Sequence, residues 1–204
     1  MTAMAPDHDP EDGRRRYFDA ALGMTVVQVL QGDYYVTTRR DEVLSTVLGS
    51  CVAACVRDPL AGCGGMNHFL LPDGGGETTA KARLRYGAYA MDQLIQDIIA
   101  RGGRRDRLEV KVFGGGNVIA GLGAVGHRNA DFVESYLANL GLAVAASHLR
   151  GTLPRRVVYT PRSGRVRMRE LAADVGREIF DRERRRQPVI VASGPASGAI
   201  ELFD

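Results

Sequence analysis

Short apolar runs, alternating or clustered, follow one another along this chain and are separated by turns rich in glycine and proline. Thr25 to Leu30 is rich in valine and reads as a strand, with Tyr34 to Thr37 as its hairpin partner across Gly32-Asp33. Thr46 to Val56 is apolar and made mostly of small residues, the pattern of a buried strand, broken by Gly49. Asp58-Pro59-Leu60-Ala61-Gly62 is a turn, and Gly65 to Leu71 is the second strand of that hairpin, stopped by Pro72. Gly74-Gly75-Gly76 mark Asp73 to Lys81 as a loop. Leu84, Ala88, Met91, Ile95 and Ile98 recur at helical spacing, and Gly102-Gly103 supply a left-handed cap just past Arg101.

Further on, Leu108, Val110 and Val112 alternate with Glu109 and Lys111 in a half-buried strand that runs into Gly114-Gly115-Gly116-Asn117. Asn129 is a suitable N-cap for a helix through Val133, Tyr136, Leu137 and Leu140, ended by Gly141. Leu142 to Ser147 is a strand. Arg156 to Thr160 and Arg165 to Arg169 form a hairpin around Pro161-Arg162-Ser163-Gly164. Ala172 to Arg186 reads as a short helix with a solvated basic end, and Ser197 to Phe203 as an edge strand. Because most strands fall in hairpins, the expected class is α/β of the α+β kind, a layered sandwich of mixed, mostly antiparallel sheet with helices.

Composition narrows this picture only a little. With 204 residues the chain makes one domain, expected over residues 21–204, behind a disordered tail over residues 1–20. A 45% hydrophobic and 25% charged composition excludes global disorder. A formal charge of +3 is too small to argue for nucleic-acid binding, and the clusters Arg104-Arg105, Arg155-Arg156 and Arg184-Arg185-Arg186 read as solvated faces. No apolar run approaches the ~18 residues of a membrane span, and the first residues do not form a secretory signal. Three closely spaced cysteines, Cys51, Cys55 and Cys63, do not suit a disulfide framework and point to a reducing cytoplasm.

The chemistry concentrates in Leu48-Gly49-Ser50-Cys51-Val52-Ala53 and Gly64-Gly65-Met66-Asn67-His68. Gly49 lets the backbone bend before Cys51, so that a sulfur nucleophile stands clear while N–H groups around Gly49 and Ser50 face one point, as an oxyanion requires. Pairing across the Asp58 to Gly62 turn brings Cys51 and His68 nearly opposite, with one residue of mismatch for a bulge to absorb. A neighbouring imidazole lowers the thiol's pKa and protonates a leaving amine. Cys55 and Cys63 read as packed core thiols. A competing reading gathers Cys51, Cys55, Cys63 and His68 around Zn²⁺, without the Cys-x-x-Cys knuckle usual in small zinc sites. The Gly114 to Asn117 loop lacks the marks of a phosphate loop and reads as a tight strand exit beside the site.

These two motifs resemble the CheD family of chemoreceptor glutamine deamidases. In order along the chain, Arg85-Tyr86-Gly87 with Ala90-Met91, Lys111-Val112-Phe113-Gly114-Gly115, Gly126-His127-Arg128-Asn129 and Ile200-Glu201-Leu202-Phe203 resemble the same family. The resemblance runs from about Tyr34 to Phe203. It implies a sandwich similar to the catalytic domain of cytotoxic necrotising factor, and a protein-glutamine glutaminase with Cys51 as nucleophile and His68 as base. It also implies a hydroxyl residue, usually Thr, six positions before the cysteine; Ser45 stands there, with Thr46 beside it, and either serves to orient the imidazole. Where the family commonly has Asp and a Gly pair, this chain has His148-Leu149-Arg150-Gly151. The implied partners are the cytoplasmic helices of chemoreceptors and a CheC-type phosphatase, with no metal or organic cofactor. The alternative is an adaptor that binds these partners without turnover.

Overall fold

In the computed structural model, which describes residues 14–71, 77–118 and 124–185, the short apolar runs build two five-stranded sheets. The first contains β1 (Arg16–Asp19), β2 (Met24–Gln28), β4 (Glu42–Leu48), β9 (Arg155–Thr160) and β10 (Arg165–Glu170), in the order β1-β2-β4-β9-β10. The second contains β3 (Asp33–Thr37), β5 (Val52–Asp58), β6 (Cys63–His68), β7 (Glu109–Gly114) and β8 (Val144–Leu149), in the order β3-β6-β5-β7-β8. Neighbouring strands are antiparallel except β2–β4 and β7–β8, which are parallel. With helices α1 (Glu77–Ala100), α2 (Val125–Asn139) and α3 (Gly176–Arg185) the fold is α+β, with mixed and mostly antiparallel sheets.

Strand parity sorts the core into two layers, since successive side chains point to opposite faces. Cys51, Ala53, Cys55, Met66 and Leu70 meet Leu44 and Leu48 of β4 and Val157 and Tyr159 of β9 between the sheets. Val52, Ala54, Val56, Val110 and Val112 pack instead against Met91, Leu94 and Ile98 of α1 and Val133 and Leu137 of α2. Strand β5 is therefore buried on both faces, which explains the unbroken apolar run from Val52 to Val56, while the edge strand β8 is largely exposed. Each fully buried Val, Leu or Ile contributes about 1.5–3 kcal/mol. No helix among the described residues is long and apolar enough to cross a membrane.

Several local expectations change. Tyr34 to Thr37 does form a strand, but β3 pairs with β6 in the other sheet and not with β2. Gly32, at φ +85°, donates its N–H to the His68 carbonyl at 2.7 Å, so the turn delivers the chain across the sandwich. The run from Thr46 to Val56 is likewise two strands in two sheets, with Gly49 to Cys51 as the crossing. Arg16–Asp19 is a strand and not part of a tail. Its neighbourhood is fixed by Arg14 and Arg16, whose guanidinium groups lie 5.2 and 5.4 Å from the centre of the Tyr35 ring. Helix α1 begins at Glu77, inside the expected loop, and closes as expected: Gly102 is at φ +92° and Gly103 N–H bonds the Ile98 carbonyl at 3.0 Å. The rest of the N-terminal tail and the C-terminal edge strand over 197–203 lie outside the described residues.

The β5–β6 hairpin is anchored by Asp58, which is fully buried. Burial alone would raise its pKa. Backbone N–H groups of Ala61 and Arg104, the Arg107 guanidinium and the Leu60 N–H outweigh this and lower it from 3.8 to about 2. A depressed carboxylate pKa stabilises the fold above the unfolded-state value and loses that contribution as pH falls through the folded value. Asp58 therefore contributes about 2 kcal/mol at pH 7, lost between roughly pH 4 and pH 2. Urea unfolding at pH 7 is expected to show Asp58→Asn less stable by about that amount, with the difference from the parent vanishing near pH 2.

Candidate active site

The crossing from β4 to β5 is held by its carbonyl groups. Gly116 N–H donates to the Gly49 carbonyl at 2.9 Å, Asn129 Nδ2 to that of Ser50 at 2.8 Å, and Gly115 N–H to that of Cys51 at 2.7 Å. The Gly49 and Ser50 carbonyls share peptide planes with the N–H groups of Ser50 and Cys51, which therefore face the other side, and the Gly49 N–H joins them. There they converge on the Glu183 carboxylate of α3: Gly49 N–H at 2.8 Å, Ser50 N–H at 2.9 Å and Cys51 N–H at 3.3 Å, with the Ser50 hydroxyl at 2.6 Å. This is an anion cradle of the kind that successive backbone N–H groups form.

The Gly114 to Asn117 loop is the tight strand exit expected, and the cradle rests on it. Gly114 sits at φ +114°, and a Cβ there would lie 2.1 Å from the Cys51 carbonyl oxygen. Asn129 was expected to cap a helix. It lies inside α2, fully buried, because its amide links two backbones: Oδ1 accepts from Leu71 N–H at 3.0 Å while Nδ2 holds Ser50. Gly49 does not have a positive φ. Its lack of a side chain is used for room, since a Cβ would lie 3.1 Å from both a Glu183 oxygen and Ile179 Cγ2.

His68 reaches the same place from β6. The β5–β6 register pairs Cys55 with Met66, and Val52 bridges Phe69, so no bulge intervenes and His68 falls opposite Ala53. It is thus a diagonal neighbour of Cys51 on the face turned toward the first sheet. On the opposite face of β6, Asn67 accepts from Ala54 N–H at 2.9 Å and donates to the Ala90 carbonyl of α1 at 3.1 Å. Cys51 Sγ, a His68 ring nitrogen and a Glu183 carboxylate oxygen lie within 4.8 Å of one another, and all three residues are buried.

Of the two hydroxyl candidates, parity selects Thr46. Leu44, Thr46 and Leu48 share the face between the sheets, and Ser45 is turned to the other face. Thr46 Oγ1 donates to the Val29 carbonyl at 2.8 Å and lies 2.8 Å from His68 Nδ1. With its only proton committed to Val29, this hydroxyl accepts from Nδ1–H, so the neutral imidazole keeps Nε2 as its proton acceptor. The Cys51 thiol is pushed well above its ordinary range by burial first, and then by the charge and hydrogen bond of Glu183. Burial also raises Cys55, in the inter-sheet core, and Cys63, whose Sγ lies 3.6 Å from the Ile98 carbonyl on the helix side. The four-residue zinc set is therefore not assembled. The cluster that is assembled centres on N–H and O–H dipoles with their positive ends inward, which suits an anion and opposes a cation.

Glu183 was missed because it lies in a run read as solvated basic helix. Its sequence signal is Ile179 one turn earlier, which with Gly176 and Glu183 forms a buried stripe among the described side chains of a mostly charged helix. The divergent His148 to Gly151 segment packs beneath the glycine loop. Arg150 takes φ +69° there, tied to Asp131 and Glu134 at 2.6 Å each, and the buried Arg155 guanidinium donates to the carbonyls of His148, Arg150 and Leu153.

A buried thiol, an imidazole with a fixed tautomer and a cradle of N–H donors are the parts that nucleophilic acyl transfer at a cysteine requires. The family model for CheD chemotactic sensory transduction matches residues 70–170. A probable chemoreceptor glutamine deamidase CheD of Rhodopseudomonas palustris is 53% identical over 98% of this chain and 94% of its own length. Proteins of the same name from Bordetella petrii and Cupriavidus metallidurans are 51% identical over 78% of the chain (72% of their own) and 47% over 93% (89% of their own). This chain belongs to the CheD family. Among solved structures, a Bacillus licheniformis hypothetical protein, YfiH, aligns over 59% of this chain and 50% of its own with 12% identity and a TM-score of 0.36.

The cradle's dependence on glycine is open to a direct comparison. Gly114→Ala places a Cβ against the Cys51 carbonyl in a backbone conformation that alanine disfavours, and is expected to cost roughly 2–4 kcal/mol in urea unfolding. Gly141→Ala shares a positive φ, +68°, but has nothing within 4 Å, and is expected to cost only about 1 kcal/mol.

Proposed function

We propose that this chain is a protein-glutamine glutaminase that converts glutamine side chains of chemoreceptor cytoplasmic helices to glutamate. The observation that carries this reading is the convergence of three N–H groups and one hydroxyl on a side-chain carboxylate, beside a thiol and an imidazole. A carboxylate is the product group of glutamine hydrolysis, and its oxygens mark where the amide oxygen of a substrate lies.

In this mechanism Nε2 of His68 takes the Cys51 proton, and the thiolate attacks the carboxamide carbon. The N–H groups of Gly49, Ser50 and Cys51 hold the oxyanion. The C–N bond breaks as the imidazolium returns its proton to nitrogen, releasing ammonia and leaving a thioester. Water, deprotonated by the same imidazole, hydrolyses the thioester to a carboxylate and a free thiol. Thr46 acts as the orienting third member, as in triads generally, and Ser45 takes no part. No step calls for a metal or organic cofactor. The reading includes a cytoplasmic setting, where receptor helices end, and the likeness to the cytotoxic necrotising factor domain that the family resemblance implies.

The adaptor reading, in which the chain binds receptors or a CheC-type phosphatase without turnover, is favoured by one observation, the complete burial of Cys51. Ammonia release from a receptor fragment, with mass spectrometry for the ~1 Da gain of amide-to-acid chemistry, separates the two. Cys51→Ala is expected to abolish turnover, and Cys55→Ala and Cys63→Ala to retain it. Thr46→Val is expected to lower kcat by on the order of 100-fold, and Ser45→Ala to change it little. Equal loss in all three cysteine variants overturns the nucleophile assignment, and receptor binding with no turnover in the parent protein establishes the adaptor.

A further inference from the structure

The helix that closes the site has an unusual balance of forces. Among its described side chains, Gly176, Ile179 and Glu183 are buried, and Arg177, Glu178, Asp181, Arg182 and Arg185 are exposed. Of these, Ile179 lies against Gly49 and the Glu183 carboxylate binds the cradle. The carboxylate accepts from the three N–H groups and the hydroxyl of the cradle and lies against the Cys51 thiol. Beside it a cavity of about 190 Å³ is bounded by Thr46, His68, Arg156, Ile179 and Arg182, so α3 fills only part of the recess.

We propose that α3 occupies the seat of the substrate helix and that Glu183 is a built-in product analogue. This rests on the deamidase reading and goes further: the site accepts its target residue on a helix, and a receptor helix must displace α3 to enter. A glutamate on a helix is what the enzyme leaves behind after each turnover, and Glu183 presents that group to the N–H donors that hold the oxyanion. The substrate class follows from the same geometry. It is a helical segment that carries glutamine one turn after an apolar residue, in the relation of Glu183 to Ile179. With Glu183 docked, its negative charge opposes ionisation of the adjacent thiol, so the closed state is also the less nucleophilic one.

The test is to make the analogue a substrate. In full-length Glu183→Gln, Cys51 Sγ attacks the Cδ of the introduced carboxamide, the C–N bond breaks with release of ammonia, and water then cleaves the thioester. The net change is amide plus water to carboxylate plus ammonium. Peptide mass spectrometry is expected to show residue 183 gaining ~1 Da over time, at a rate independent of protein concentration, and no gain in the Cys51→Ala/Glu183→Gln double variant. A second variant, Glu183→Ala, removes the competing group and is expected to raise kcat/KM for a helical receptor fragment by on the order of tenfold, because the open fraction of molecules rises. It is also expected to raise the rate at which iodoacetamide alkylates Cys51. If the amide introduced by Glu183→Gln stays intact in a protein that deamidates the receptor fragment, the seat assignment is overturned and the deamidase reading stands. If Glu183→Ala lowers receptor turnover, Glu183 serves catalysis and the inhibitory role is overturned. If neither the introduced amide nor the receptor fragment is deamidated by protein with Cys51 intact, the deamidase reading itself falls.

Discussion

The rest of the site depends on where three carbonyl groups point. A peptide unit is planar, so fixing a carbonyl fixes the N–H on the far side of the same plane. The carbonyls of Gly49, Ser50 and Cys51 are each taken by a donor from another part of the chain: two glycine N–H groups after β7 and the amide of Asn129 in α2. The Gly49 and Ser50 carbonyls share planes with the N–H groups of Ser50 and Cys51, which are thereby turned away from those donors and, with the Gly49 N–H, face a common point, while the plane of the Cys51 carbonyl aims the Val52 N–H at the Phe69 carbonyl. Buried donors left in this way cost about 1–3 kcal/mol each, so the cradle is stable only with an acceptor inside it. In a deamidase the acceptor during reaction is an oxyanion, and at rest it is the side chain of Glu183.

A second constraint, the two-residue period of the strands, decides which side chains meet above the cradle. Cys51 before β5, His68 ending β6 and Thr46 in β4 come from two sheets, yet all lie on faces turned toward each other. A shift of one residue in any of these strands would turn its contributor away, and this is why Thr46 and not its neighbour Ser45 meets the His68 ring. The register is held at the far end of the β5–β6 hairpin by Asp58, whose carboxylate gathers four donors. Stability at one end of the hairpin and geometry at the other are therefore linked through a ladder without a bulge.

These constraints also explain what could be read from the chain. Cys51 and His68 were legible because each sits in a short motif whose small residues announce a close backbone approach, and the hairpin joining them is local. The choice between Ser45 and Thr46 was not, because β4 is buried on both faces and Val43 and Val47 are as apolar as Leu44 and Leu48. The hairpin expected for β2 and β3 failed for a related reason: Gly32-Asp33 is a sound local turn, but the apolar face of β3 finds its partner in β6. Asn129 was assigned by its capping propensity, and a tertiary role for its amide overrode that preference. Glu183 carries no local signal of its importance. An acidic residue among arginines is what a solvated helix contains, and only the converging N–H groups, more than 130 positions earlier in the chain, distinguish it.

The contrast among the three cysteines shows how little of the chemistry belongs to the residue itself. Cys51, Cys55 and Cys63 are all buried and all have raised pKa values, with burial as the leading cause. Exposure and titration alone would rank none of them as a nucleophile. What separates Cys51 is its company. An imidazole with a committed Nδ1 proton and a set of N–H donors stand beside it, and the carboxylate that raises its pKa belongs to a helix whose described residues give it one aliphatic anchor at the site. Cys55 and Cys63 are desolvated by β-strands and α1, which cannot leave without unfolding the protein. Cys51 is desolvated in part by α3, the helix proposed above to give way to the substrate. A cysteine is reactive when its desolvation is reversible, and under the proposed displacement of α3 that condition is met where the strand crossing faces this helix.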